Sequence, residues 1–364
     1  MFASLAYLAA NQQKKFMRSY LAGAFFSTTC LFFLLLQSPG AAAQLPGCKD
    51  PMARNYNPSA TVNDGTCGYD IVRLPTVFKA ALSRTLRETS GLQIAGGSLW
   101  SFNDSGNPAE IYRVDTTSGA VLQSVILEGA TNVDWEDIAF DGTYLYIGDF
   151  GNNATGGRTD LKIYKFPLSA IPDYTTDPVV SIPSGQIDVI NFVYSNQVPV
   201  ENTGNNNTRF DCEAMVVDSG RIHLFTKNWV DVNTVHYVIE GVAPGDYTAT
   251  PRDTLQTNYL VTGADKLPGS SVVVLIGYRT GLPFRHFMHL LSDYSGDRIF
   301  NGNVRMFRLS TALAMAQAEG VAFSQAGWGF ISGERIDHGI TIRQRLRSFN
   351  LYGYLPLYVL PDQP

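Results

Sequence analysis

Three glutamates and two hydroxyl residues hold the same place in a phrase that this sequence repeats. Glu136, Glu213 and Glu319 each head a short apolar run: Glu136-Asp137-Ile138-Ala139-Phe140, Glu213-Ala214-Met215-Val216-Val217 and Glu319-Gly320-Val321-Ala322-Phe323. Ser90, in Ser90-Gly91-Leu92-Gln93-Ile94, and Thr262, in Thr262-Gly263-Ala264-Asp265, open two more copies with a hydroxyl in the carboxylate's place. Each copy continues through a Gly-containing turn into a second run that ends in polar residues: Asn103-Asp104, Gly148-Asp149, Thr226-Lys227, Tyr278-Arg279 and Glu334-Arg335. Carboxylate and hydroxyl oxygens brought together are the ligands that Ca²⁺ takes. Lys227, Arg279 and Arg335 would neutralise an anion, including the charge that develops on a phosphoryl group during hydrolysis. In this scheme Glu136, Glu213 and Glu319 hold the metal and Asp104 and Asp149 act as outer ligands or general base. Ser90 and Thr262 contact the ligand. Three facing glutamates raise one another's pKa unless a cation compensates. Lys227, Arg279 and Arg335 would serve equally in a purely structural ion-pair network, and the residues alone leave both outcomes open.

The elements that must position these groups are strands. A recurring strand–turn–strand unit with almost no helical pattern between copies marks a repeat architecture, here an all-β propeller. The units open near Ser90, Trp135, Cys212, Val261 and Ala318, which predicts five blades, or six if the stretch between blades two and four hides a further unit. The first strand of a blade is the innermost, and the first two strands form a hairpin. The start of the first and the end of the second therefore share one face, where all the polar groups above would surround the mouth of a central channel. The strand-like segment from Ile71 to Ala80 precedes the first unit and would pair with the last blade to close the ring.

With 45% hydrophobic residues the chain can build a full core, and its 33 glycines and 18 prolines suit many tight turns. The net charge is −5 and no basic run follows the amino terminus, so nucleic acid is not an expected partner. Lys14, Lys15 and Arg18, the apolar stretch Leu21 to Leu36, and Gly40-Ala41-Ala42-Ala43 have the order of an export signal covering residues 1–43. The mature chain is thus expected to be secreted or at the outer cell surface, as a monomer without a transmembrane span. Cys48 and Cys67 are expected to form a disulfide that closes a small module at 44–70, leaving the propeller at 71–364. Within the module Asp50, Asn63 and Asp64 could offer oxygen ligands to Ca²⁺, but the favoured reading is that they form the turns of a disulfide-closed loop. Cys212, flanked by Asp211 and Glu213, reads as an inert thiol, and Trp100 and Trp135 as packing between blades. The histidines lack zinc-like spacing. No Gly-x-Ser-x-Gly element and no phosphate-binding glycine loop is present.

Two resemblances accompany these patterns. Gly47-Cys48-Lys49-Asp50-Pro51 through Asn63-Asp64-Gly65-Thr66-Cys67 resembles a short Cys-bounded repeat of surface and secreted proteins of Bacteroidetes. The second rests on Asn103-Asp104-Ser105-Gly106, Asp134-Trp135-Glu136-Asp137-Ile138-Ala139, and Gly148-Asp149-Phe150-Gly151-Asn152-Asn153 with Arg158. It continues through Asp211-Cys212-Glu213-Ala214, Thr226-Lys227, Thr262-Gly263-Ala264-Asp265 and Ala318-Glu319-Gly320-Val321-Ala322. In this order, across residues 85 to 335, the phrases resemble bacterial β-propeller proteins labelled "esterase-like activity of phytase". The resemblance implies a secreted or surface propeller and, more loosely, phosphoester hydrolysis. One departure is Ile276, where many relatives carry an arginine; Arg279 lies three residues on. The expected ligand is a small anion or polyol. The rival expectation is a scaffold that presents its loops to a surface protein or glycan without turnover.

Overall fold

The structure is a computed structural model and describes residues 44–281, 284–325 and 327–360. The export signal expected at 1–43 lies outside these residues. Short strands rich in Val, Ile, Phe and Tyr, broken by turns, fold into antiparallel units of four strands. Blade 1 comprises Thr89–Ala95, Ser98–Asn103, Glu110–Val114 and Val121–Leu127. Blade 2 comprises Trp135–Phe140, Tyr144–Asp149, Lys162–Pro167 and Asp188–Tyr194. Blade 3 comprises Cys212–Asp218, Arg221–Thr226, Thr234–Ile239 and Gly245–Leu255. Blade 4 comprises Leu260–Lys266, Val272–Arg279, Arg285–Ser292 and Asn303–Thr311. Blade 5 takes Gln317–Gln325, Trp328–Glu334 and Arg345–Asn350 from after blade 4 and Thr76–Ala81 from ahead of blade 1.

The first strands adjoin one another in cyclic order, blade 1 to 2, 3, 4, 5 and back to 1. One apolar cluster fills each space between neighbouring blades. Trp100 and Phe102 meet Trp135 and Ile147, Phe192 and Tyr194 meet Met215 and Leu224, and Val216 and Phe225 meet Val273 and Leu275. Ile276 and Met288 meet Val321 and Phe349, and Leu346 meets Leu92 and Leu99. A strand covered on both faces has no solvent side, which is why runs such as Val272–Ile276 are apolar without alternation. Ile276 is a packing residue of the blade 4–5 interface, fully buried.

Closure follows the expectation for the segment before blade 1. Thr76–Ala81 pairs antiparallel with Arg345–Asn350, Thr76 opposite Phe349 and Ala81 opposite Arg345. Other sheet edges are tied as well. Val179–Ile182 adds a parallel strand to blade 1, Val72–Arg73 adds one to blade 4, and the outer strands of blades 2 and 3 pair with each other. Edges occupied in this way do not invite pairing with other chains.

The Cys48–Cys67 disulfide is formed, and Pro46–Gly47, just ahead of it, pairs with Val62–Asn63 inside its loop. This region belongs to the same compact unit as the propeller. Asn63 Nδ2 donates to Asn303 Oδ1 at 2.9 Å, which fixes it to the end of blade 4 opposite the expected mouth. Asp50 accepts from Tyr69 OH and Asp64 Oδ1 from Thr66, so both carboxylates make their hydrogen bonds within the module. No helix among the described residues is long and apolar enough to cross a membrane.

Candidate metal and ligand site

The polar residues that open each unit share a backbone irregularity. In blade 2 Gly148 pairs with Asp137 and Asp149 with Trp135, which leaves Glu136 unpaired between them. The same one-residue slip isolates Glu213 in blade 3, Thr262 in blade 4 and Glu319 in blade 5, and in blade 1 it frees Ser90 and Gly91 together. A bulged residue leaves the two-fold alternation of its strand and is re-aimed. Repeated around the ring, the bulge turns Ser90, Glu136, Glu213 and Glu319 into one cavity of about 200 Å³. Glycine follows the bulge where inner strands approach most closely. A Cβ on Gly263 would lie 2.5 Å from the Glu319 carbonyl oxygen, and one on Gly320 would lie 2.6 Å from that of Ser90.

A second set of groups comes from each second strand, from the residue that follows the partner of the one preceding the bulge. Asp104, Lys227, Tyr278 and Glu334 hold this position and line the cavity, while Phe150 holds it in blade 2 and is buried among apolar residues. A third set stands two residues ahead of the bulged ones: Glu88 and Gln317 line the cavity, and Asp134 and Asp211 stand against Glu136. Asn153 and Asn206 complete the rim.

The sequence-derived assignments divide accordingly. Glu136, Glu213, Glu319, Ser90, Asp104 and Lys227 converge. Thr262 does not reach the cavity wall: its hydroxyl donates to the Ala318 carbonyl at 2.7 Å and staples blade 4 to blade 5. Ser90 makes the corresponding bond to the Glu136 carbonyl at 2.8 Å, so both hydroxyls hold neighbouring strands. Asp149 is a correction. It is fully buried, pairs with Arg158 at 2.9 Å and accepts from the Asp134 amide at 3.0 Å, and so positions Asp134 from behind instead of acting as a base. Arg279 and Arg335 are corrections too. Arg279 is exposed and donates to the Asn258 carbonyl, and Arg335 pairs with Asp337 on the surface. Each lies one residue beyond the lining position, and one step along a strand reverses the direction of the side chain. Glu334 and Tyr278 are the lining neighbours that this step conceals, and the register shifted by the bulge is the signal that finds them.

The cavity is overwhelmingly acidic. Its one internal ion pair among the described residues joins Lys227 Nζ to Glu213 Oε1 at 2.9 Å, with both side chains at most 5% exposed. Burial opposes the charge on Lys227, but Glu213 and the other acids outweigh it and hold the lysine protonated well above its usual range. Burial drives the carboxyls upward: Asp134 and Glu319 to about 7, and Glu334 to about 9 with the charge of Glu319 adding to it. Glu136 is raised well above its ordinary value by burial and then by Glu213 and Asp104. Glu136 also stands in two groups of carboxylates, with Asp104 and Asp134 and with Asp211 and Glu213, whose oxygens lie within 4.8 Å of one another. Asp211 is already engaged by the Asn152 amide at 2.6 Å and Trp229 Nε1 at 2.7 Å. Glu136 is different, because its Oε1 is buried and has no hydrogen-bond partner. Gly151 leaves that oxygen room, since a Cβ there would sit 2.2 Å from Glu136 Oε1 and 2.5 Å from Asp134 Oδ2.

Deeper in the channel two more carboxylates bind backbone. Asp137 accepts from the amides of Ile138, Met215 and Ala264, reaching from blade 2 to blades 3 and 4. Asp265 accepts from the amides of Lys266 and Phe323 and from Gln93 Nε2, reaching from blade 4 to blades 5 and 1. Cys212 is buried, and burial pushes its thiol up, as an inert cysteine requires.

Fold and site together define a β-propeller with an acidic, metal-competent channel mouth. The chain matches no family model and no curated protein. Among solved structures it is similar to the PQQ-bound aldose sugar dehydrogenase of Streptomyces coelicolor, at 11% identity and a TM-score of 0.41, over 76% of this chain and 97% of that one. It is also similar to a family 117 glycoside hydrolase from Zobellia galactanivorans, at 14% identity and a TM-score of 0.42, over 77% of this chain and 90% of that one.

Proposed function

We propose that the channel mouth binds a divalent hard cation, Ca²⁺ in the first place, and through it a small hydroxyl-rich ligand, in a protein exported to an oxidising compartment. The observation that carries this is Glu136: a 97% buried carboxylate with a partnerless oxygen, shared by two carboxylate groups and facing a glycine-made gap. Oxygens within 4.8 Å of one another can share an ion bound at about 2.4 Å from each. The donor set contains only oxygen, which suits Ca²⁺ or Mg²⁺ and not the softer metals that prefer His or Cys. Glu136 would be the central ligand, with Asp104 and Asp134 on one side and Glu213 on the other. The cation would supply positive charge and open coordination positions to a ligand oxygen.

The ligand follows from the charges. Arg279 and Arg335 point elsewhere and Lys227 is committed to Glu213, so among the described residues no spare cation lines the cavity to favour a phosphate. A polyol brings no additional charge, and the side chains of Asn153 and Asn206 at the rim form no hydrogen bond among the described residues. Binding of this kind suits recognition as well as turnover. The Cys48–Cys67 bridge supports export, since such bonds persist outside reducing compartments.

Calorimetric titration of the chelator-treated protein with CaCl₂ tests the assignment. Saturable binding that Glu136→Gln weakens at least tenfold, with the melting transition of the variant retained, is the expected result. Absence of binding at millimolar Ca²⁺ and Mg²⁺ overturns it.

A further inference from the structure

A second cavity, of about 520 Å³, opens at the edge of blade 4 and shares no lining residue with the acidic mouth. Its wall carries Arg73, Arg285 and Arg308, together with His286, Ser310 and Thr311, and no carboxylate. Arg73 and Arg308 are register partners on adjacent parallel strands. Like charges set opposite each other across strands are destabilising, and no carboxylate among the described residues pairs with either. None of the three arginines forms an ion pair among the described residues. In a chain of net charge −5, with acids to spare, that concentration of unpaired guanidinium is unexpected for a passive surface.

The surroundings are held in place. Arg345 donates to the Leu313 and Ala314 carbonyls at 3.2 Å each, and Arg347 donates to the Ala314 carbonyl at 3.0 Å, fixing the segment that contributes Ala314 to the wall. Both bring further positive charge without a carboxylate partner. His286 is fully buried, with Nδ1 against the Ser310 carbonyl at 3.0 Å; that nitrogen therefore carries the proton, and Nε2 is buried without a partner. The exposed basic side chains of the wall are arginines, whose planar fork of donors fits an oxyanion through paired hydrogen bonds.

We propose that this cavity binds a multiply charged oxyanion, a phosphate or sulfate group, through Arg73, Arg285 and Arg308. The anion takes the place of the missing carboxylates and relieves the repulsion between Arg73 and Arg308. The hydroxyls of Ser310 and Thr311 on the same wall supply neutral donors. The site is independent of the cation at the mouth.

Titration of the folded protein with inorganic phosphate, and separately with inorganic sulfate, at constant ionic strength maintained with chloride, tests the proposal. Saturable binding of at least one anion with a rise in melting temperature is expected, and whichever binds more tightly identifies the group. Arg285→Gln/Arg308→Gln should weaken binding by about tenfold or more, the loss of two charge-assisted contacts. Both side chains are exposed, so this variant should fold, and its melting temperature without anion confirms that directly. Glu136→Gln should bind the anion as the unaltered protein does. Failure of both anions to saturate, or unchanged affinity in the double variant, overturns the proposal.

Discussion

At the scale of single residues, the mouth depends on a glycine and a lysine as much as on its acids. Gly151 is where a methyl group would enter the space beside Glu136 Oε1 and Asp134 Oδ2. Gly151→Ala is therefore expected to lower Ca²⁺ affinity at least tenfold while the fold persists, because the atoms it displaces are the ends of side chains. Calorimetry on the variant reads this directly, and unchanged affinity would remove Gly151 from the site. Lys227 supplies the opposite charge that Glu213 needs in a buried setting. Removing one partner of a buried pair costs about 3–5 kcal/mol. Lys227→Met should thus lower the urea midpoint of the metal-free protein, and saturating Ca²⁺ should restore part of the loss by taking over the lysine's role. A loss of the same size with and without Ca²⁺ would show that no cation sits near Glu213.

At the scale of elements, the repeated bulge converts an ordinary strand into a holder for one inward-pointing group. The sequence pattern exposes this for the first strands, because Glu136, Glu213 and Glu319 stand ahead of apolar runs that locate themselves. The hydroxyl copies at Ser90 and Thr262 were equally legible as positions, but their bonds to neighbouring carbonyls depend on how close the next strand comes. The second strands were harder to read. Each ends in two polar residues or in a glycine and an aspartate, and only the register, shifted by the bulge, decides which one faces the axis. Asp104 and Lys227 fall at that position, whereas Asp149 precedes it and Arg279 and Arg335 follow it. Asp211 was visible as an acid but not as a neighbour of Glu136, since that proximity crosses from blade 3 to blade 2. The glycine behind the bulge provides a test at this scale. Gly263→Ala would press a Cβ to 2.5 Å from a backbone oxygen of blade 5, which cannot swing aside as a side chain would. A destabilisation of about 1–3 kcal/mol is expected, measured by chemical denaturation, and full stability would mean that the inner strands are less closely packed than described.

At the scale of the molecule, the ring concentrates acidic charge around one axis and makes stability depend on pH. Asp134 and Glu319 are pushed up to about 7 and Glu334 to about 9. The same groups ionise near 4 in an unfolded chain. Between those values the native state retains protons that the unfolded state has released, so raising the pH removes stability. The metal-free protein should be most stable near pH 4 as far as these groups decide, and lose melting temperature steadily toward pH 9. Millimolar Ca²⁺ should flatten the alkaline part of that curve, and its affinity should rise with pH as it displaces protons. Melting curves between pH 5 and 9 with and without Ca²⁺ check both statements, and two parallel curves would contradict them. The bonds of Asp137 and Asp265 carry one last consequence. They run between blades that are not neighbours, from 2 to 4 and from 4 to 1, and so cross the axis beneath the mouth. The hole is a cul-de-sac: whatever arrives must depart by the way it came, past Asn153 and Asn206. A bulky visitor seated at that doorway would trap a smaller one behind it and slow its exit without touching it.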